Sequence, residues 1–250
     1  MTDMKNFLLI FCLLMSSRSY AGTAIVAVAS NFTIPMQKIA DSFEQDTGNK
    51  LVLSFGSTGS FYAQIKNGAP YQVLLSADNE TTELLERERY AQKGASFTYA
   101  IGRLILWSNK SNYVNGSAEV LSTNQFKKIA IANPKLAPYG LAAQETLSKL
   151  GLLSRLESKI ILGENISQTY QFILTENTEL GFIALSQVYK DGQISSGSGW
   201  IVPSSFHTPI IQNATILNAG KNHDTPQLFV QYLKSDKTKA IIKSFGYEIQ

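Results

Sequence analysis

Cysteine and histidine are nearly absent: the chain has one cysteine, Cys12, and two histidines, His207 and His223. One thiol cannot close an internal disulfide, and no Cys-based metal site, His-x-x-x-His pair or Asp/Asn-rich calcium loop occurs. Long hydrophobic runs are missing as well. Phe7–Met15 is an unbroken apolar stretch, but it falls far short of the roughly 20 residues needed to cross a bilayer. Charge of one sign is also scarce. The formal net charge is only +3 and no basic block is present, so nothing points to nucleic acid or a membrane surface as a partner. Gly56-Ser57-Thr58-Gly59-Ser60 is not a phosphate-binding P-loop, since no Lys-Ser/Thr follows it. It is not a nucleophile elbow either, because the Gly-x-Ser-x-Gly spacing is absent.

The start of the chain has export character. Lys5 precedes the apolar run, and Ser19-Tyr20-Ala21 offers a small-x-small cleavage site. Residues 1–21 therefore read as a secretory signal peptide cleaved after Ala21, with a soluble periplasmic product. A lipoprotein would acylate Cys12, but bulky Phe11 stands where such sites favour small residues. Cleavage removes the sole cysteine, and loss of Lys5, Arg18 and Asp3 lowers the net charge by one. The mature chain must then be held by its apolar core alone, and it is long enough for one large core or two smaller ones.

Short β-rich runs alternate with helical patterns. Ala24–Ala29, Leu51–Leu53 and Val73–Leu75 read as strands, while Phe32, Met36, Ile39 and Phe43 form one stripe of an amphipathic helix. Further helices are expected over 61–66 and 81–89. After Gly102 the pattern restarts, with strands at Leu104–Trp107, Ile129–Ala132 and Ile160–Leu162 and helices near 140–150 and 166–175. A β-like run from Ile210 to Leu217 and two C-terminal helices close the chain. This order argues for an α/β fold in two lobes with several chain crossings. Ser195–Gly199 is the one flexible-looking tract, and no linker, repeat or low-complexity segment appears.

Four strand-to-helix junctions share one chemistry: Ala29-Ser30-Asn31, Phe55–Gly59, Ala137-Pro138-Tyr139-Gly140 and Gly163–Gln168. The first N–H groups of a helix lack intrahelical partners, and the aligned peptide dipoles make that end positive. An anion can bind there without Lys or Arg. Ser30, Asn31, Ser57, Thr58 and Tyr139 add side-chain donors, and Gly56, Gly59 and Gly140 permit close backbone approach. Each junction also has a plain structural reading as a cap, Asn165 with Gln168 above all. In an open α/β sheet such junctions lie at the carboxyl ends of strands, where ligands bind.

The sequence resembles the periplasmic molybdate-binding proteins of ABC transporters over essentially the whole mature chain. The resemblance rests on Val26–Asn31, Ser54–Gly59 with Gln64-Ile65, Asn67–Pro70, Ser76-Ala77-Asp78, Ala132-Asn133-Pro134 with Ala137–Gly140, and Leu180–Ala184. Tyr232-Leu233-Lys234 and Phe245-Gly246-Tyr247 also match. It implies a type II periplasmic-binding fold with lobes at 22–102 plus 206–250 and at 103–205, and the ligand cleft between them. It further implies a monomer that binds molybdate or tungstate, needs no cofactor, catalyses nothing and delivers its ligand to a membrane permease. The implied ligand-binding residues are Ser30, Asn31 and Thr58 in one lobe and the backbone N–H groups of Tyr139 and Ile166 in the other, with Ser57 as a further candidate.

Two departures from the family pattern stand out. Thr58 replaces a common Ser, keeping the hydroxyl. Ala184 stands where some members place a ligand-binding Tyr, and the phenol of Tyr139 is expected to compensate. The proposed loops offer donors and no acceptor beside them, which suits a fully deprotonated dianion and disfavours hydrogen phosphate. Glu164 is accordingly expected to face solvent. The rival readings are a binding protein of the same fold for sulfate or another oxyanion, a secreted hydrolase using Ser57 or Ser60 with His207 or His223, and a structural or adhesive module.

Overall fold

In a computed structural model the described residues are 21–249, so the signal-peptide reading lies outside them except for Ala21. The first β-strand, β1 (Thr23–Ala29), is almost wholly buried, as a run of Ala, Ile and Val flanked on both sides requires. It pairs in parallel with β2 (Lys50–Gly56) and β3 (Val73–Leu75). β4 (Phe97–Gly102) and β12 (Ile210–Ile216) complete a five-stranded sheet of order β2-β1-β3-β12-β4, with β12 antiparallel to both neighbours.

A second five-stranded sheet, β11-β5-β8-β6-β7, is built from β5 (Leu104–Ser108), β6 (Ile129–Ala132), β7 (Ile160–Gly163), β8 (Leu180–Ala184) and β11 (Ser198–Ile201). β9 (Tyr189–Lys190) and β10 (Gln193–Ile194) form a small hairpin. The chain passes from the first sheet to the second at Arg103 and returns between β11 and β12. The two sheets and their helices are the two lobes of the fold.

Helices connect the parallel strands: α1 (Thr33–Thr47), α2 (Thr58–Lys66) and α3 (Glu80–Arg87) in the first lobe, α4 (Pro138–Lys149), α5 (Leu153–Leu156) and α6 (Ile166–Leu174) in the second. α7 (Asp224–Leu233) and α8 (Asp236–Ser244) return to the first. The stripe of α1 is what its spacing predicts: Phe32, just before the helix, and Met36, Ile39 and Phe43 are all fully buried. Each such side chain contributes roughly 1.5–3 kcal/mol by burial. Gly48 ends α1 in the left-handed region, φ 73°, where its N–H bonds back to Glu44 O at 2.8 Å.

Three details differ from the sequence reading. α3 stops at Arg87 because Arg89 is left-handed, φ 66°, and cannot continue a helix. Ser198 and Gly199 of the flexible-looking tract belong to β11 and pair with Ser108 and Trp107. β4 and β8 carry too little alternation to announce themselves by periodicity.

Candidate functional site

The four junctions converge. β1 runs through a 3-10 turn, Ser30–Phe32, into α1, and β2 leads through Ser57 into α2. From the other lobe come the N-termini of α4 and α6. Between them lies a small cavity lined by Ala29, Ser30, Asn31, Gly56, Ser57, Thr58, Ala77, Ala137, Pro138, Tyr139 and Ile166. Only about 10 Å³ of it is open to the centre of a water-sized sphere. That is on the scale of one water. A space this tight favours a compact solute over a flexible organic one.

Among the described residues no charged side chain lines this cavity. Its positive potential comes from helix ends, with Pro138 opening α4 where a missing N–H costs nothing. Thr58 is buried at the start of α2, and its Oγ1 accepts from the Ala77 N–H at 3.0 Å. With that acceptor capacity in use, its own proton is free to donate. Ser57 caps α2, accepting from Ser60 N at 3.4 Å, and its Oγ shares a 2.7 Å bond with Ser60 Oγ. Ser30 Oγ reaches across the cleft to Asn165 Oδ1 at 3.3 Å, and Ser167 Oγ donates to Ser30 O at 3.1 Å. The Gly59 N–H donates to Leu136 O of the opposite lobe at 2.9 Å. The lobes are closed on one another.

Asn31 and Tyr139 line the cavity, but their polar ends are engaged elsewhere. Asn31 Nδ2 donates to Gln212 Oε1 at 2.7 Å and to Tyr247 OH at 3.0 Å. The Tyr139 hydroxyl accepts from Gln212 Nε2 at 3.4 Å. The phenol expected to compensate for Ala184 is thus directed at Gln212. Ala184 itself is fully buried, outside the cavity lining and in the same apolar cluster as Tyr139, so a larger side chain there would meet the core. Gly140 is small for packing reasons: a Cβ would stand 2.2 Å from Ala132 O. Glu164 is exposed.

Sequence reasoning missed Gln212, Tyr99, Tyr247 and Ser186, which form a buried polar cluster behind the cavity. Tyr99 OH donates to Gln212 Oε1 at 3.0 Å, and Ser186 Oγ to Asn31 O at 2.8 Å. Burial raises the pKa of Tyr99, Tyr139 and Tyr247, keeping all three phenols neutral. The legible signal was Gln212-Asn213 inside the apolar run of β12, since a buried amide demands partners.

The hydrolase reading fails on geometry. Neither Ser57 nor Ser60 bonds to a histidine among the described residues; His207 Nδ1 lies 2.7 Å from Thr208 O, and His223 precedes α7. Residues 24–248 match the family described as bacterial extracellular solute-binding protein. The chain is 52% identical over 237 residues to the molybdate-binding protein ModA of Azotobacter vinelandii, covering 95% of this chain and 94% of that one. The chain belongs to this solute-binding family. It is 42% identical to ModA of Rhodobacter capsulatus, over 91% of this chain and 88% of that one. The solved structure of the Azotobacter vinelandii periplasmic molybdate-binding protein superposes with a TM-score of 0.88 at 39% identity, covering 91% of this chain and 99% of that one. These are binding proteins and not enzymes, and the solute-binding protein described here shares their two-lobed fold.

Proposed function

We propose that this solute-binding protein captures molybdate, and also tungstate, in the periplasm and hands it as a monomer to the membrane permease of an ABC transporter. The observation that carries this reading is the cavity itself: small, without a charged side chain among the described residues that line it, and faced by four helix starts. A dianion there is held by hydrogen-bond donors and helix dipoles alone. The donors we assign are the hydroxyl of Thr58, the hydroxyl of Ser30 once an anion draws its proton from Asn165 Oδ1, with Ser57 as a secondary one, and the backbone N–H groups of Asn31, Tyr139 and Ile166. The lobes divide at 22–102 plus 206–250 and 103–205, and export removes residues 1–21. The relatives named above support the choice of oxyanion.

Calorimetric titration of the mature protein with molybdate, tungstate, sulfate and phosphate tests the reading. Tight binding of the first two is expected. Saturable binding of phosphate with equal affinity would refute a donor-only site.

A further inference from the structure

Tyr139 is the second residue of α4, so its backbone belongs to a helix start that faces the cavity. Its ring is buried, and its hydroxyl is directed at the first lobe. There the hydroxyl meets Gln212 Nε2 at 3.4 Å. It also lies against Gly102, where a Cβ would stand 2.2 Å from the Tyr139 hydroxyl oxygen. Gly102 ends β4, one residue before the chain crosses at Arg103, and Gln212 lies in β12, the first strand after the return. The side chain therefore meets both first-lobe strands that flank the interlobe crossings. Gln212 in turn holds Asn31, which lines the cavity from the first lobe.

We propose that Tyr139 is a positioning residue that couples ligand capture to lobe closure, its phenol acting as a latch on Gln212 and Gly102 and not as a donor to the oxyanion. The inference rests on the oxyanion reading given above for what is captured, but the latch itself is a contact between lobes. Because Tyr139 and its two partners lie on opposite sides of the seam, parting the lobes pulls on this contact. Its loss should speed opening and release more than it slows encounter. The pocket at Gly102 must stay without a side chain for the phenol to seat.

The test uses the mature protein, whose lack of cysteine lets Asn67→Cys and Ser158→Cys carry one spin label on each lobe. Interlobe distances are compared for the parent and Tyr139→Phe without ligand and with molybdate. Stopped-flow kinetics give the molybdate on- and off-rates. Tyr139→Phe is expected to lengthen the interlobe distance distribution and to raise the off-rate roughly two- to tenfold, the worth of one ordinary hydrogen bond, with the on-rate little changed. Gly102→Ala, which touches no ligand, should also shift the protein towards open, and by less in the Tyr139→Phe background than in the parent.

Unchanged distances and an unchanged off-rate in Tyr139→Phe would overturn the latch. So would a loss of affinity in Tyr139→Phe with distances unchanged and no coupling to Gly102→Ala, because the phenol would then be a direct ligand donor. Failure of the parent to bind molybdate would instead remove the oxyanion reading, and the ligand-free distances would still decide the latch.

Discussion

The Ala77 N–H donates to Thr58 Oγ1 at 3.0 Å and thereby fixes which way that hydroxyl can give its proton. A hydroxyl has one proton, and with an amide already donating to its oxygen that proton is available to the cavity. Thr58→Ala should therefore cost a bond to a charged acceptor, roughly 1.5–3 kcal/mol. At about 1.4 kcal/mol per decade that is a tenfold to hundredfold loss of molybdate affinity. Thr58→Ser should bind nearly as the parent does. Calorimetry on the three proteins decides it, and undiminished affinity in the alanine variant would remove Thr58 from the site.

Among the described residues no carboxylate forms part of the cavity wall, and this leads to the second prediction. Molybdate and tungstate should raise the melting temperature, and phosphate, which keeps a proton near neutral pH and wants an acceptor for it, should not. A ligand selective for the folded state adds RT ln(1 + [L]/Kd), roughly 2.7 kcal/mol at 100 times Kd. Differential scanning fluorimetry at matched concentrations makes the comparison, and equal shifts would contradict the prediction.

How much of this was legible in the sequence depends on the range of the physics involved. The stripe Phe32, Met36, Ile39 and Phe43 and the runs of β1 and β6 are local patterns, and the structure buries them as read. The four helix starts were legible for the same reason, since caps and strand ends are set by neighbouring residues. What escaped was long-range. Nothing near Asn31 says that its amide will be taken by Gln212 and Tyr247, 181 and 216 residues away. The direction of the Tyr139 ring is likewise decided by a gap at Gly102 on another strand. Ser198 and Gly199 read as flexible because their strand character comes from pairing with β5, not from their own propensities.

Asn165 ties a helix cap to the cleft. Its Oδ1 accepts from Ser167 N and Gln168 N, both at 3.0 Å, and from Ser30 Oγ across the seam. Asn165→Ala should remove the cap, costing about 1 kcal/mol. For a chain of this size that lowers the melting temperature by about 2–4 °C. Asn165→Asp keeps an N-cap acceptor but brings a negative charge to the cleft, so it should hold the ligand-free stability and weaken molybdate binding. Melting curves with and without molybdate separate the two effects. A full ligand-induced shift in the aspartate variant would show that Asn165 does not sense the anion.

Asp78 supplies a pH dependence. Burial raises its pKa above the ordinary 3.8, with repulsion from Glu80 adding to the rise, and bonds from the Thr81 N–H and Ser76 Oγ only partly offset this. The folded state therefore holds this proton more tightly than the unfolded chain. The stability it contributes is complete below the unfolded value and is lost as pH rises through the folded one. Asp78→Asn keeps an acceptor for Thr81 and carries no charge to desolvate. Relative to the parent, the variant should gain stability as pH rises from below 3.8 to neutrality. The difference between the two melting temperatures, followed across that interval, reads this group and its coupling to Glu80, because every other titrating side chain is common to both proteins. A constant difference would mean that Asp78 titrates at its ordinary value. A falling difference would mean that its bonds to Thr81 and Ser76 outweigh its burial.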